Sequence, residues 1–428
     1  MRDVDVIVIG AGPCGNMAAL ELARRGVSVA VLDWRTRIGD KLCTGIIGRE
    51  CAEVFARAAE HIHGEARSAT IVSPAGRRYR IERTATQAYI VNRVAYVNAV
   101  AEQAQHAGAE YILDSRVTDI RINGTHAKIE AVRGGTRRAY TCRIVILASG
   151  FGSPLLRMIG LGGDKKTPGN RKTSDYRRDN GRDNYRDNGS ANGEYLIGYQ
   201  VEAIAKDLRE TEVYLGSGTA HDSFAWLVPL SGNRALVGMA PRHRANGQMD
   251  AFIERLRAEG SIGELVSEQK AWGIPIRPLS PSYADRTLVA GDAAGLVKPT
   301  TGGGIYYVFL SGRIAAEAAQ TAIARGKYAA NDLRGYERQW KAVFGRELRI
   351  GYYARLLYET LGDEQIERLL DAFLSDGDIA EYIGENVAFD WHSKVILKVL
   401  RHTGIRRALT TLGPAAAPFV ARLLQARG

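Results

Sequence analysis

The groups in this sequence most able to do chemistry are glycines and the few polar residues set among them. Gly10, Gly12 and Gly15 stand in the spacing G-x-G-x-x-G within "DVIVIGAGPCGNMAALELARRGVSVAVLD". Gly10 permits a tight turn, Gly12 lets a pyrophosphate come close, and Gly15 lets a helix pack on a strand. The helix start offers free N–H groups and a positive dipole end to phosphate oxygens. Asp33 then falls where a carboxylate would hold a ribose hydroxyl. A second cluster, "GDAAGLVKPTTGGGIYYVFL", joins Asp292, Pro299 and Gly302, Gly303 and Gly304 to Tyr306 and Tyr307. Three glycines ahead of a helix cost backbone entropy, so the backbone there is expected to lie close against something. Cys43, in "IGDKLCTGIIG", is a thiol between a basic residue and two glycines. With an ordinary pKa of about 8.5 it is protonated at neutral pH and can donate that proton, directly or through water.

These groups need elements to hold them. Val6 to Ile9 is a continuous apolar run, as in a strand buried on both faces. A helix follows the glycine turn, and Val29 to Leu32 is a second strand ended by Asp33. Cys14, inside the turn, is a small buried filler. "IVILASGFGSPLLR" predicts another buried strand, then Gly150, Gly152 and a helix, while "VNRVAYVNAVAEQA" puts Arg93 just before an amphipathic helix. "RTLVA" predicts the strand that leads to Asp292, and "WGIPIRP" one that returns from one domain to another. In "SFAWLVPLSGNRALVGM", Phe224, Trp226 and Val228 alternate and would project one apolar face. That face suits a long apolar ligand and equally suits a sheet core. Beyond Lys327, "YARLLYETLGDEQIERLLDAFL" and "SKVILKVLRHTGIRRALTTL" carry the i, i+3, i+4 spacing of amphipathic helices.

With 428 residues, the chain is long enough for two or three domains. Its 45% hydrophobic and 25% charged residues are ordinary for a soluble globular protein. Nothing approaches the roughly 20 apolar residues of a membrane span, and no basic, apolar leader precedes the strand that begins by Asp5. Cys14, Cys43, Cys51 and Cys142 have neither metal-site spacing nor the density of a disulfide framework, and no metal site is expected. The cytoplasm is the expected location. The net charge of +11 favours anionic partners. Seven Lys or Arg and no Asp or Glu lie between Trp391 and Gly428. That basic, amphipathic tail would suit an anionic membrane surface, which makes the inner face of the membrane a second location, or would simply cap the core.

In this order the motifs resemble the flavoproteins that contain geranylgeranyl reductases and their relatives among FAD monooxygenases and quinone-linked dehydrogenases. The resemblance covers roughly Val4 to Gln320. It implies an α/β fold: a Rossmann-type FAD-binding domain with a parallel sheet, an antiparallel-sheet substrate domain and a C-terminal helical region. Residues 1–50, 93–160 and 283–328 would form the FAD domain, residues 51–92 and 161–282 the substrate domain, and residues 329–428 the helical region. Gly10, Gly12, Gly15 and Asp33 would hold the ADP half of FAD, and Arg93, Gly150 and Asp292 would support the rest. Pro299 and Gly302 to Gly304 would back the isoalloxazine ring, with a helix dipole favouring negative charge on the reduced flavin. Phe224, Trp226 and Pro229, followed by Val237 and Gly238, match the reductase signature strand that lines a lipid pocket, although Phe224 replaces a Tyr and Val228 an aromatic residue.

The activity implied is saturation of isoprenoid double bonds by hydride from reduced flavin. Cys43 is the candidate acid, and Tyr306 and Tyr307 are alternative donors or wall residues. The electron donor would be NADPH or ferredoxin, and Ser149 stands where many relatives have the Asp that engages a nicotinamide donor. A monooxygenase, a quinone-linked electron-transfer dehydrogenase and a non-catalytic flavin-binding partner protein are the other functions this pattern admits. Asp164 to Glu194, with "RRDNGRDNYRDNG", is a low-complexity insertion whose eight basic and six acidic residues cannot bury enough surface to order alone. Its interleaved aspartates offset the basic charge, so nucleic acid is not expected as a partner. His61, His63, His221 and His392 lack partners at metal-ligand spacing and read as surface or loop residues.

Overall fold

A computed structural model describes residues 2–39, 43–55, 59–161, 194–220, 222–242, 247–374, 388–401 and 416–425. The insertion lies outside these residues except for Glu194, as does His221. The first sheet runs Tyr283–Ala284, Thr287–Val289, Thr136–Leu147, Arg2–Ile9, Val29–Leu32, Glu110–Ile112. Along this run of six strands every pairing is parallel except that of Tyr283–Ala284 at the edge. Val6, Ile7 and Val8 are fully buried and Ile9 nearly so, as expected for a strand covered on both faces. Thr136–Leu147 is long enough to pair twice. Its second half lies beside Arg2–Ile9, and its first half joins the antiparallel hairpin Ser115–Ile122 and Ala127–Arg133.

Helices Pro13–Arg24, Arg93–His106 and Ile305–Arg325 pack together against this sheet. Gly312, inside the last of these, explains how close they come. A Cβ there would sit 2.5 Å from the Cys14 carbonyl oxygen and 3.2 Å from Met17 Cβ. The helix gives up about 1 kcal/mol of propensity and gains a backbone-to-backbone crossing. The helix expected after Gly152 is a single turn, Leu155–Met158.

A second sheet of seven strands runs Lys270–Pro275, Tyr195–Ile204, Arg234–Met239, Phe224–Leu230, Thr211–Leu215, Ser68–Val72, Arg78–Glu82. It is antiparallel throughout except where Thr211–Leu215 meets Ser68–Val72. One face, with Ala225, Leu227, Val237 and Met239, is covered by helix Gln248–Ala258 through Met249, Phe252, Ile253 and Leu256. Side chains alternate along a strand, so Trp226 and Val228 point the opposite way. They join Leu196 and Ile274 in the core shared with the first sheet. A third, three-stranded sheet, Ile46–Gly48, Ala88–Val91 and Ile62–Ala66, closes the remaining side.

The C-terminal part is helical. Ala330–Trp340 and Arg346–Glu359 are joined by a π-helical turn, Lys341–Gly345, and followed by Asp363–Leu374, Ser393–Arg401 and Ala417–Gln425. Trp340, Phe344 and Leu348 join the main core, while Ile350, Leu357, Leu397, Leu400 and Leu423 build a separate cluster. Among the described residues, no helix is long and apolar enough to cross a membrane.

Candidate functional site

The glycine turn between Arg2–Ile9 and Pro13–Arg24 separates three roles. Gly10 has φ +112° and presses against the backbone of Ala148, and a Cβ on Gly15 would overlap the Gly10 carbonyl oxygen. These two glycines bring strand, helix and the neighbouring strand end together. Gly12 differs, since a Cβ there would meet no atom within 4 Å. It caps a helix that starts with Pro13 and has no side chain bonded to its first N–H groups. Open space in front of unsatisfied helix N–H groups is what a phosphate needs, so this cradle fits the pyrophosphate of a dinucleotide. Asp33 is 6% exposed; it accepts from Ala11 N–H at 2.7 Å and from Arg35 N–H at 2.8 Å. Its carboxylate therefore also braces the turn. Cys14 lies beneath it, 3.5 Å from Ser311 Oγ, and burial pushes its thiol up to about 12. It is a packed filler, unsuited to proton transfer at neutral pH.

Around the turn lie the strand-end motifs. Gly150 and Gly152 have φ of +80° and +71° and open space where a Cβ would be. Arg93, the first residue of its helix, is buried and donates to Gly39 O at 2.8 Å, while Asn92 caps the same helix through Ala95 N–H at 3.1 Å. Gly45 has φ +71° and packs on the Val91 carbonyl, and a Cβ built on it would lie 3.8 Å from Arg93 Cβ. This holds the Cys43 loop beside Arg93. Cys43 is half-buried and accepts from Gly45 N–H at 3.5 Å.

The three consecutive glycines have a cause inside the protein as well. Lys298 N–H donates to Gly303 O at 3.0 Å and Gly302 N–H to Lys298 O at 2.9 Å, so the loop folds back on itself. A Cβ at Gly304 would lie 2.7 Å from Val297 Cγ1, one at Gly303 3.4 Å from Lys298 Cε, and one at Gly302 3.2 Å from Ile274 Cδ1. Gly304 also sits 3.8 Å from Asp292 Oδ1 by the same measure. The loop thus brings Asp292 to the start of Ile305–Arg325 and touches the second sheet at Ile274. Pro299 packs on Gly351 of Arg346–Glu359.

Tyr306 and Tyr307 follow on the first turn of that helix, with their hydroxyls engaged. Tyr306 donates to Glu50 Oε1 at 2.5 Å, and Trp391 Nε1–H donates to Glu50 Oε2. Tyr307 donates to Asp390 O at 2.8 Å and stacks on Phe344 with centroids 5.2 Å apart. Burial first, and then nearby carboxylates, hold both phenols above their ordinary range. As proton donors they are weaker than free tyrosine.

Sequence reasoning missed the partners of these tyrosines, Glu50, Asp390 and Trp391, and the neighbours of Asp390, Lys298 and Cys51. Lys298 is 5% and Asp390 3% exposed. Burial pulls the Lys298 ammonium below its ordinary pKa, and burial raises the Asp390 carboxyl. Burial also raises the Cys51 thiol. His392, read as a surface or loop residue, shares a hydrogen bond between its Nδ1 and Thr300 Oγ1 at 2.8 Å, and its Nε2–H donates to Phe389 O at 3.0 Å. Burial, and then Lys298, pulls its imidazole down to about 3. Only Lys298 left a trace in sequence, as a cation inside a glycine loop. The others come from segments with no local signal.

The wall opposite the loop is aromatic. Trp226 lies flat over Gly238 and Trp272 over Gly198, because a Cβ at either glycine would run into the ring. Phe224 packs 5.9 Å from Trp226, and Pro229 stands further along the same strand. Trp226 Nε1 and Gln200 Oε1 are buried without a hydrogen-bond partner among the described residues. They flank Gly238 on the two adjoining strands. No cluster of His, Cys, Asp and Glu among the described residues could hold a metal ion.

The chain resembles known proteins in sequence and in fold. The chain is similar to the digeranylgeranylglycerophospholipid reductase of Methanocaldococcus jannaschii, 27% identical over 87% of this chain and 91% of that one. It is 29% identical to the enzyme of the same name from Methanosphaerula palustris, over 87% and 90%. In fold it resembles a geranylgeranyl bacteriochlorophyll reductase-like protein from Thermoplasma acidophilum, with a TM-score of 0.80, 21% identity and coverage of 99% and 100%. A p-nitrophenol 4-monooxygenase from Pseudomonas putida has a TM-score of 0.66 at 16% identity, over 95% and 99%. The family model described as "FAD binding domain" matches residues 3–306, and this chain belongs to that family.

Proposed function

We propose that this chain is an FAD-dependent reductase that saturates the C=C bonds of isoprenoid lipid chains, of the geranylgeranyl or polyprenyl type. The observation that carries the reading is the contact of Gly302 with Ile274. It brings the glycine loop against the apolar, aromatic face of the second sheet, where a prenyl chain would lie beside a ring. The names of the curated relatives support the same substrate class.

FAD would be held by Gly10, Gly12, Gly15 and Asp33 at its ADP half, by Arg93, Gly150 and Asp292 along its middle, and by Pro299 and Gly302 to Gly304 at its ring. When bound and reduced it supplies a hydride to one alkene carbon. The chain's own task is to exclude water and bring a proton to the other carbon. Phe224, Trp226 and Pro229 would line the chain's path. Cys43 is the proposed acid: it sits half-buried on the loop whose Gly45 packs near Arg93, whereas the protons of Tyr306 and Tyr307 are committed to Glu50 and Asp390. NADPH or ferredoxin would supply the electrons.

Lys394, Lys398 and Arg401 are exposed on Ser393–Arg401, while Leu397, Val399 and Leu400 are buried. Contact with an anionic membrane at the inner face would therefore be electrostatic, because the protein itself uses that helix's apolar face. The deciding experiment incubates dithionite-reduced holoprotein anaerobically with a geranylgeranyl lipid. Mass spectrometry should show a gain of H2 per double bond, and an unchanged lipid would refute the reading. Parallel reactions with NADPH and with reduced ferredoxin identify the donor.

A further inference from the structure

A lysine buried behind a glycine loop is costly unless its charge is paired or used. Lys298 Nζ donates to Phe389 O at 2.6 Å and lies 4.2 Å from the centroid of the Phe389 ring. Its nearest carboxylate, Asp390 Oδ1, is 3.7 Å away, longer than a direct hydrogen bond. Asp390 is fixed in turn, since its carboxylate fills the space above Gly48 that a Cβ would need. The ammonium is 3.9 Å from where a Cβ on Gly303 would sit. The Lys298 amine thus stands against the backbone assigned to the flavin ring, held there by the C-terminal segment.

Four further groups face this pair. Glu50 and Cys51 come from the helix after Gly48, and His392 and Glu347 from the C-terminal part. Glu347 Oε2 accepts from the backbone N–H of His392 at 3.0 Å and of Ser393 at 2.9 Å. Its charge is thereby engaged in holding the same segment.

We propose that Lys298, held by the Phe389 carbonyl, is the cation that stabilises the reduced, anionic flavin, and that Asp390 is the counter-charge that tempers it. This rests on the reading that Gly302 to Gly304 back the ring. Two electrons and one proton added to oxidised flavin leave one net negative charge on the ring system, and no bond to the protein is made or broken. The N-terminus of Ile305–Arg325 contributes only about half a charge, so a whole cation at the same loop is a large addition. Burial lowers the Lys298 pKa and raises that of Asp390, and each group works against that shift in the other: Asp390 favours the charged ammonium and Lys298 the charged carboxylate.

The test is the midpoint potential of the bound flavin at neutral pH in the holoprotein, with the FAD dissociation constant measured alongside. In Lys298→Met the preference for reduced over oxidised flavin should fall at least tenfold, a potential lower by about 30 mV for a two-electron couple. In Asp390→Asn the cation loses its counter-charge, and the potential should rise. The expected order is Asp390→Asn above wild type above Lys298→Met, and any other order overturns the proposal. A pair that merely braced the loop would weaken FAD in both variants and shift both potentials the same way. If Lys298→Met does not fold, Lys298→Met combined with Asp390→Asn, which buries no unpaired charge, replaces it and should lie below Asp390→Asn alone. The measurement needs bound FAD and no lipid, so it stands whether or not prenyl reduction is observed.

Discussion

Gly12 and Gly15 belong to one motif, yet the structure gives them opposite consequences on substitution. An alanine Cβ at Gly15 would fall well inside 3.0 Å of the Gly10 carbonyl oxygen, and 3.2 Å from Val8 Cγ1. Both neighbours belong to a buried strand turn, so neither can yield without moving the helix. Overpacking of this kind costs about 1–3 kcal/mol, and overlap with backbone puts Gly15→Ala at the upper end. For domains of up to 250 residues each kcal/mol lowers Tm by roughly 2–4 °C, so a drop on the order of 5–10 °C is expected before any cofactor is considered. Gly12 has φ −80° and nothing within 4 Å of its would-be Cβ. Gly12→Val should leave the cofactor-free protein within about 1 kcal/mol of wild type, the small N-cap preference for glycine included. It should instead weaken FAD, because the side chain occupies the approach to the helix N–H groups. Hydrogen bonds to a charged acceptor are worth about 1.5–3 kcal/mol each, so losing one or two predicts at least roughly ten-fold weaker binding. Urea unfolding of the stripped proteins and FAD titration by fluorescence separate the two effects. A Gly12→Val protein that unfolds as early as Gly15→Ala, or one that binds FAD like wild type, would refute this division of roles.

Three other outcomes follow from the same geometry. Cys43→Ser should retain FAD and its absorbance but reduce prenyl lipid more slowly; unchanged turnover would remove Cys43 from proton delivery. Gln200→Leu should be neutral or raise the stability of the cofactor-free protein by up to about 1–2 kcal/mol, since a buried, unpartnered amide oxygen carries a desolvation penalty; a clear loss in urea midpoint would show that the oxygen is used. His392 is held near 3, below its ordinary value of 6.5, so between these values the unfolded chain binds the extra proton. Stability should therefore fall as pH drops below about 6.5, by on the order of 2 kcal/mol at pH 5, and His392→Gln should flatten that dependence. A wild-type urea midpoint that does not change across this window would rule out the neutral, buried imidazole.

The sequence alone determined the parts of this protein whose physics is local. Gly10 and Gly15 are required by a turn that closes within a few residues, and the unbroken apolar run Val6 to Ile9 announces a strand covered on both faces. The alternation of Phe224, Trp226 and Val228 likewise marks one sheet face, and the spacing of "GDAAGLVKPTTGGGIYY" marks a loop ahead of a helix. Tertiary structure alone decided what those parts meet. Only strand pairing could show that the face bearing Trp226 turns toward the flavin-domain core while Ala225 and Leu227 turn toward a separate helix. The triad of Tyr306, Glu50 and Trp391, and the pair of Lys298 and Asp390, join segments far apart in the chain. A lone Glu, Asp or Trp in an irregular stretch carries no periodic or conformational signature. Its role is set by which charges folding buries beside it, and that is a property of packing.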